Sequence, residues 1–325
     1  MNKLLITGGL GFIGHNLISQ LIDLPNCDVV SVDNKTNYGI LNQTELDYVL
    51  KLRTNKIKHI KNYNTDIRNN QSLDKIFANE LPNTVVHLAS LPRQKVVNTF
   101  PQLGSEVMIG GLINLLELSV KYNVKKFVYI SSSMVYGNFN QTILENNSCQ
   151  PIGQYAIFKL TGEQLVKYYS SKYNFDYVIV RPSAVYGPID VEDRVISKFF
   201  YAAKRGQDLF VNGQDEKCDF TFIEDTTDGI IRAILNPLAV NNIFNISKST
   251  AIPIIEAAEK IVKLVGRGKI KVRNKDPQHP SRVNLDISKA SKILNFSPKF
   301  DLDNGLGIYY QWIESHFDNI FVNEI

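Results

Sequence analysis

A glycine-rich turn near the start of the sequence constrains the fold of this chain more than any other feature. The stretch GGLGFIG, residues 8–14, places four glycines directly after the apolar run 4–6. Apolar residues then recur at helical spacing through residues 12–22. Glycine adopts backbone angles that other residues avoid and lets a ligand approach the main chain closely. The pattern predicts a strand, a tight turn and a helix, with a ligand at the turn.

The spacing of the glycines indicates which ligand the turn binds. Gly9, Gly11 and Gly14 satisfy G-x-G-x-x-G, and Gly8, Gly11 and Gly14 satisfy G-x-x-G-x-x-G. A helix N-terminus offers free N–H groups and partial positive charge, which suit a pyrophosphate. Asp33 ends the next strand, about twenty residues further on, where a carboxylate binds the adenine ribose hydroxyls and repels a 2′-phosphate. We predict an NAD site, with an unliganded glycine turn as the alternative.

Strand-like and helical segments alternate through the first half of the chain. This β-α-β alternation predicts an α/β fold with a doubly wound parallel sheet of the Rossmann type. The expected strands lie at 29–33, 59–60, 84–88, 126–130 and 177–181, and the clearest expected helices at 108–119 and 155–173.

A change in amino-acid composition and loop length after residue 185 indicates a second domain. Loops lengthen there, and Pro, Gly, Lys and Asp become more frequent. We predict an NAD-binding Rossmann domain over residues 1–185 and a smaller mixed α/β substrate-binding cap over residues 186–325. Residues 225–246 are expected to return to the first domain, with Asp225 as the N-cap of a helix.

Composition argues against several classes of protein. Lysine and arginine total 36 against 32 acidic residues, and this small excess indicates neither a nucleic-acid nor a membrane partner. We find no apolar run of about 18 residues, so no membrane-spanning helix is expected. The N-terminus reads as a strand and not as a signal peptide. Three scattered cysteines and five histidines without metal-ligand spacing predict free thiols, no metal and a cytoplasmic location.

Three tyrosines carry a lysine four residues later, and position distinguishes them. Tyr155 opens a helix soon after a serine-rich strand end, and Tyr155 and Lys159 share one face of that helix. The Lys159 ammonium is expected to lower the pKa of Tyr155. A tyrosinate can take a proton from a sugar hydroxyl, and Ser132 is expected to hydrogen-bond the same hydroxyl. Tyr122 and Tyr168 read as members of exposed helix pairs.

The motifs, taken together and in order, resemble the extended short-chain dehydrogenase/reductase family. More closely, the chain resembles the NAD-dependent sugar-nucleotide epimerase/dehydratase branch of that family. The likeness runs from residue 3 to about residue 315. The motifs that carry it are TGGLGFIG, Asp33, Asp66-Ile67, HLAS (87–90), SSSMVYG (131–137), YAIFK (155–159) and RPSAVYGP (181–188).

The resemblance implies a Rossmann domain with tightly held NAD and a nucleoside-diphosphate sugar as substrate. It implies a Ser–Tyr–Lys triad at Ser132, Tyr155 and Lys159. It also implies a homodimer, or a dimer of dimers, through a four-helix bundle built from helices near 105–122 and 155–173. The expected cofactor contacts are Gly8, Gly11, Phe12, Ile13, Gly14, Asp33, Asp66, Ile67, Leu88, Ala89, Tyr155 and Lys159.

Departures from the family pattern narrow the chemistry. The 4,6-dehydratases of the branch carry an Asp-Glu pair where this chain has Ser133 and Met134. The decarboxylases place a Glu, and the 3,5-epimerases a Cys, at the position of Met134. A thioether cannot act as an acid or base, so all three chemistries are disfavoured.

Two of the family's diphosphate contacts are also replaced. Ala184 stands in place of an Asn, and Cys218 in place of an Arg. Arg282 occupies the position of the family's late diphosphate arginine, and Arg194, at a helix start, is a second candidate. The expected substrate-binding residues are Arg93, Ser132, Ser133, Arg194 and Arg282.

Oxidation at C4 followed by reduction from the other face needs no acid or base beyond the triad. We therefore expect a sugar-nucleotide C4-epimerase. A nucleotide-sugar dehydrogenase or 4-keto reductase is the alternative enzyme, and a non-catalytic NAD-binding regulator is the alternative from another class.

Overall fold

The computed structural model describes residues 2–36, 41–91, 94–190, 194–275 and 279–320. Arg93, one of the predicted substrate-binding residues, lies outside these residues. The strands are β1 (Asn2–Thr7), β2 (Cys27–Asp33), β3 (Lys61–Asn64), β4 (Thr84–His87), β5 (Lys126–Ile130), β6 (Asp176–Pro182), β7 (Val185–Tyr186), β8 (Asp208–Asn212), β9 (Lys217–Cys218), β10 (Thr221–Phe222), β11 (Asn242–Ile246), β12 (Ile252–Pro253) and β13 (Lys269–Arg273).

Helices alternate with these strands through most of the chain, as the sequence predicts. The helices are α1 (Phe12–Leu21), α2 (Gln43–Lys56), α3 (Asn70–Glu80), α4 (Gln94–Thr99), α5 (Pro101–Ser105), α6 (Gly111–Lys121), α7 (Gln154–Tyr173), α8 (Val195–Lys204), α9 (Ile223–Leu235), α10 (Ile254–Val265), α11 (Ser288–Leu294) and α12 (Leu302–Ile320).

Seven parallel strands form the central sheet in the order β11-β6-β5-β4-β1-β2-β3. Side chains alternate across a strand, so a central strand supplies apolar groups to both faces. Leu4 and Ile6 of β1 pack with α1 and α9 on one face, and Leu5 packs with α3 and α6 on the other. The predicted doubly wound Rossmann sheet is confirmed.

The turn between β1 and α1 is tight enough to require glycine. Gly8 has φ of +75°, and a Cβ there would lie 2.7 Å from the backbone nitrogen of Ala89. A Cβ on Gly14 would collide with the carbonyl oxygen of Gly8. This close packing directs the N-terminus of α1 to the carboxyl edge of the sheet.

The second half of the chain forms an aromatic core of its own and also adds elements to the central sheet and its helices. Three short strand pairs, β7 with β10, β8 with β13 and β9 with β12, surround an aromatic core that includes Phe200, Phe222 and Tyr309. Within the expected return segment, α9 packs against α1 and β11 pairs with β6. The division into two domains at residue 185 stays a prediction.

Asp225 has a different role from the one expected. Helix α9 begins at Ile223 with Phe222 as its N-cap, so Asp225 lies inside the first turn. Its carboxylate accepts hydrogen bonds from the backbone N–H groups of Lys299 (2.7 Å) and Phe300 (3.0 Å). The prediction that Asp225 caps this helix was wrong, because the carboxylate instead holds the segment that leads into α12.

The continuous helical run Pro101–Lys121 is more apolar than we expected. It joins α5, a π-helical turn at Glu106–Gly110, and α6. By length and composition alone this run could cross a membrane, and half of it is buried inside the fold. A core helix of a globular domain passes the same test, so the run is weak support for a membrane span.

Replacing Gly14 with alanine tests the tight turn. The new Cβ would meet backbone atoms that cannot move aside, so we expect a loss of roughly 1–3 kcal/mol in the free energy of unfolding and weaker retention of NAD. Gly307, within α12, has open space around its Cβ position. Gly307→Ala is the matched control and should stabilise by about 0.5–1 kcal/mol. Thermal unfolding of the two variants that ranked them in the opposite order would contradict this account.

Candidate active site

A cavity of about 610 Å³ opens at the carboxyl ends of the sheet strands. Ligands of open α/β sheets bind outside these strand ends. The glycine turn forms one wall, and residues of the second half of the chain, including Arg194 and Arg282, close the other side. Predicted cofactor contacts that line the cavity are Gly8, Gly11, Phe12, Ile13, Gly14, Asp33, Ile67, Leu88, Ala89, Tyr155 and Lys159.

Asp33 lies at the end of β2 with its carboxylate at the cavity. It accepts hydrogen bonds from the backbone N–H groups of Leu10 (2.9 Å) and Lys35 (2.7 Å). Burial raises the pKa of Asp33, while these two N–H groups and the Arg53 guanidinium oppose the rise. Each carboxylate oxygen has a second lone pair, so Asp33 can still accept both ribose hydroxyls. The glycine turn and Asp33 together fit NAD.

Asp66 differs from its neighbours because it is absent from the cavity wall, although Thr65 and Ile67 line it. Its carboxylate accepts hydrogen bonds from Asn34 (2.9 Å) and from two guanidinium nitrogens of Arg68 (2.9 and 3.0 Å). Burial alone would raise the pKa of Asp66, but the hydrogen bonds from Arg68 and Asn34 hold it at about 2. A contact from Asp66 to the cofactor stays a prediction. Because Arg68 and Asn34 already donate hydrogen bonds to this carboxylate, the cofactor would have to share it with them.

The three predicted triad residues meet in the cavity. Ser132 caps a short 3₁₀ turn, and its Oγ accepts a hydrogen bond from the Met134 N–H (3.2 Å). Lys159 is buried beneath Tyr155, with its Nζ 6.0 Å from the centre of the Tyr155 ring. The Nζ donates a hydrogen bond to the carbonyl oxygen of Ile130 (2.8 Å). Helix α7 and the end of β5 therefore bring Ser132, Tyr155 and Lys159 to one place.

The pKa of Tyr155 moves in the opposite direction from the one we expected. Burial raises it, and a hydrogen bond with Ser132 and the charges of Arg194 and Arg282 only partly oppose that rise. Burial also lowers the pKa of Lys159, to about 8, because Lys159 is deep in the fold. The ammonium is thus present at neutral pH, but its nearest polar contact is the Ile130 carbonyl and not the phenol.

The other two Tyr–Lys pairs lie away from the cavity. The Tyr122 hydroxyl donates to Asp74 (2.9 Å), and Lys126 donates to the carbonyl oxygen of Ile234 (3.1 Å). Tyr168 is 55% exposed on the outer face of α7. Lys126 lies on β5, so the expectation of an exposed helix pair was wrong for Tyr122 and Lys126, and neither Tyr122 nor Tyr168 lines the cavity.

Arg282 and Arg194 both reach the cavity but differ in their surroundings. Arg282 donates from Nη1 to the Ser133 hydroxyl (3.2 Å), and its buried Nε has no hydrogen-bond partner. Arg194 pairs with the buried carboxylate of Asp190 (2.9 Å) and lies over the ring of Phe12 (5.2 Å). Arg282 is therefore the better placed of the two to bind an anion.

Glu163 and Arg53 are among the charged groups near the site that the sequence analysis did not single out. Glu163 is fully buried one turn beyond Lys159 and forms an ion pair with Arg181 (2.6 Å). The continuing four-residue spacing from Tyr155 to Lys159 to Glu163 was a signal that could have revealed it. Arg53, buried on α2, donates to the carbonyl oxygen of Leu10 (3.1 Å). Its position in a polar helix gave no such signal.

Comparison with known proteins assigns the family. The sequence model of the NAD dependent epimerase/dehydratase family matches residues 4–247, well over half of the chain. The chain belongs to this family. It is an NAD-dependent enzyme of the nucleotide-sugar epimerase and dehydratase group, and NAD is its cofactor.

Members of this family with different activities are similar to the chain along most of its length. The UDP-glucuronate 4-epimerase of Thermodesulfobacterium geofontis is 31% identical and covers 98% of both chains. The dTDP-D-glucose 4,6-dehydratase of Mus musculus is 26% identical over 98% of this chain and 90% of that protein. The structure of UDP-glucuronic acid 4-epimerase from Bacillus cereus, with UDP-glucuronic acid and NAD, superposes with a TM-score of 0.89 at 26% identity, covering 96% of this chain and 99% of that one.

His87, at the end of β4, makes stability depend on pH. It is buried with its Nδ1 2.7 Å from the Thr7 hydroxyl, and burial, aided by the Lys159 charge, lowers its pKa to about 3. Below pH 6.5 the unfolded chain binds a proton that the folded chain excludes. Stability should therefore fall between pH 6.5 and pH 3, by at most about 1.4 kcal/mol per pH unit for this group.

Replacing His87 with asparagine should flatten this acid-side loss of stability, measured by chemical denaturation at several pH values. His59 is exposed, and His59→Asn should keep the wild-type slope. An unchanged slope in His87→Asn would show that other groups cause the acid sensitivity.

Proposed function

We propose that the protein epimerises the C4 carbon of a nucleoside-diphosphate sugar, with a UDP-hexose or UDP-hexuronate as the favoured class. The observation that carries this proposal is that Ser132, Tyr155 and Lys159 line the same cavity as the glycine turn and Asp33. The UDP-glucuronate 4-epimerase relative and the Bacillus cereus structure support the choice of reaction.

The chain's own residues would divide the work of C4 oxidation. The glycine turn and Asp33 would hold NAD, which would supply the hydride acceptor and donor for C4. Tyr155 takes the proton of the C4 hydroxyl and later gives it back, while Ser132 holds the same oxygen. Lys159 supplies a positive charge beneath the phenol, and this charge favours the tyrosinate. Because burial raises the pKa of Tyr155, the hydrogen bond with Ser132 and the charges of Arg194 and Arg282 would be needed for proton transfer near neutral pH.

The residues beside Ser132 favour epimerisation over dehydration. Loss of water across C5 and C6 needs an acid and a base near those carbons. Ser133 and Met134 line the cavity directly after Ser132, and the Ser133 hydroxyl accepts a hydrogen bond from Arg282. Neither side chain is a carboxylic acid, so the 4-keto sugar would persist until it is reduced on the opposite face.

The substrate diphosphate would lie between Arg282 and Arg194. Arg282 offers a buried N–H without a hydrogen-bond partner, which a phosphate oxygen would satisfy. Arg194 would contribute less, because Asp190 already balances its charge. Ser133 would change its hydrogen-bond partner from Arg282 to the sugar.

We further propose a homodimer formed through the run Pro101–Lys121 and α7. Exposed apolar residues on or next to these helices include Phe100, Ile157 and Tyr168. A second copy would cover them and the outer half of the apolar run. Light scattering that gave a monomer mass at micromolar concentration would contradict this.

The free cysteines at 27, 149 and 218 agree with a cytoplasmic location.

A panel of UDP-, GDP-, dTDP- and CDP-sugars, followed by NMR together with absorbance at 340 nm, tests the function. We expect interconversion of C4 epimers without net NADH. Net NADH formation or consumption would favour the dehydrogenase or reductase alternative. Loss of the C6 hydroxyl with solvent deuterium at C5 would identify a dehydratase, and no turnover of any sugar would favour an NAD-binding regulator.

Tyr155→Phe tests the assigned base. The phenylalanine keeps the ring but removes the hydroxyl, so fold and bound NAD should survive while kcat falls by roughly 10²–10⁴-fold. Tyr168→Phe, on the exposed face of the same helix, is the control and should leave kcat unchanged. A near-normal kcat in Tyr155→Phe would place the base elsewhere.

Arg282→Ala tests the diphosphate site. Removal of the guanidinium should raise KM at least tenfold, which corresponds to about 1.4 kcal/mol of lost binding, with NAD still bound. Arg267 is exposed, and Arg267→Ala should leave KM unaltered. Equal KM values in the two variants would contradict the assignment.

A further inference from the structure

We propose that Glu163 is a positioning residue of the catalytic site: it fastens the strand end that carries Ser132 to the helix that carries Tyr155 and Lys159, and it keeps Lys159 cationic. This inference rests on the proposed function, because it gives a role to a group beneath the same triad. It concerns a buried carboxylate that the proposed reaction does not otherwise use.

Glu163 lies on the same face of α7 as Tyr155 and Lys159. Tyr155, Lys159 and Glu163 follow one another at four-residue intervals and lie along one face of the helix. Exposure decreases along that face: Tyr155 is partly exposed, Lys159 is 5% exposed and Glu163 is fully buried. The carboxylate is therefore one helical turn below the Lys159 ammonium, on the side away from the cavity.

Glu163 contacts the strand end that carries Ser132. The Ser131 hydroxyl donates to Glu163 Oε1 (2.5 Å), and Ser131 is the immediate neighbour of Ser132. Lys159 also donates to the Ile130 carbonyl (2.8 Å), one residue earlier on the same strand end. Two consecutive residues of the chain are thus fixed to two consecutive turns of α7, and this fixes Ser132 relative to Tyr155.

Glu163 forms a buried ion pair with Arg181. Arg181 on β6 donates from Nε to Oε1 (2.9 Å) and from Nη2 to Oε2 (2.6 Å). The guanidinium lies over the Tyr136 ring (4.7 Å) and donates to the Glu145 carbonyl (3.2 Å). This bidentate pair holds the carboxylate in one orientation.

The charge of Glu163 acts on the buried ammonium of Lys159. A buried ammonium tends to lose its proton, and burial lowers the pKa of Lys159 to about 8 while the Glu163 charge opposes that loss. Lys159 in turn lowers the pKa of His87. The titratable and charged groups around Lys159 are Tyr155 and Glu163 on its own helix, Tyr129 on β5, His87 on β4, and Arg181 on β6 behind Glu163.

The test is the titration of Lys159 in the holoprotein, followed by ¹³C NMR of ε-labelled lysine and assigned with Lys159→Met. Glu163→Gln should move the midpoint down by about one pH unit, and the alkaline limb of the kcat profile should move with it. Glu163→Asp keeps the charge and should keep the wild-type midpoint. Glu145→Gln alters a half-buried carboxyl that accepts a hydrogen bond from the Asn245 N–H, and it is the matched control.

A second variant covers the cost of leaving Arg181 unpaired. Glu163→Gln with Arg181→Met removes both buried charges, and the Lys159 midpoint should still fall. An unchanged midpoint in either variant, with only a lower melting temperature, would overturn the proposal. If both variants fail to fold while Glu163→Asp folds, Glu163 serves the fold alone and the proposal is wrong.

The two parts of the account can fail separately. A wild-type holoprotein that epimerises no nucleotide sugar would overturn the proposed function, and the NMR titration would still decide the role of Glu163. Ser131→Ala removes only the hydrogen bond to the strand end. It should lower kcat several-fold without moving the Lys159 midpoint, and an unaltered kcat would refute the strand-fastening role.

Discussion

The site depends on how closely α1 approaches the end of β1. Gly14 lies against the carbonyl of Gly8, and Gly8 itself touches the backbone at Ala89 on the neighbouring strand connection. This packing leaves no room for a side chain, so the helix N-terminus is held at the sheet edge where β4 and β5 also end. A single steric constraint therefore sets the relative positions of a helix dipole, Asp33 and the strand that leads to Ser132.

The sequence predicted the parts of the molecule that depend on local pattern. Strands with apolar residues on both faces and helices with one apolar face follow from the spacing of side chains, so the Rossmann sheet was predictable. The cavity also brings together Asp33, Ser132, Tyr155 and Lys159, whose positions follow from strand ends and helix starts. Parallel strands place their carboxyl ends on one edge, and this geometry converts order in the sequence into proximity.

Properties that depend on pairing across distant segments were not predictable. Asp66 accepts a hydrogen bond from Asn34 on a different segment and is absent from the cavity wall, and Asp225 holds the backbone of residues 299–300 instead of capping α9. The pKa of Tyr155 rises because desolvation outweighs the nearby charges. The extent of desolvation is a property of the packed molecule, and the four-residue spacing of Tyr155 and Lys159 does not show how strongly burial shifts a pKa.

The pairing of β11 with β6 has a consequence for how such a chain can change over time. The strand that completes the sheet arrives sixty residues after β6, once the chain has already crossed to the other layer. Cutting the chain between β6 and β11 would leave the N–H and C=O groups along one edge of β6 unpaired, and such edges invite aggregation. A block that ends at residue 185 therefore lacks one strand of the central sheet. We therefore expect new substrate preferences in this architecture to arise by substitution in place and not by exchange of contiguous blocks.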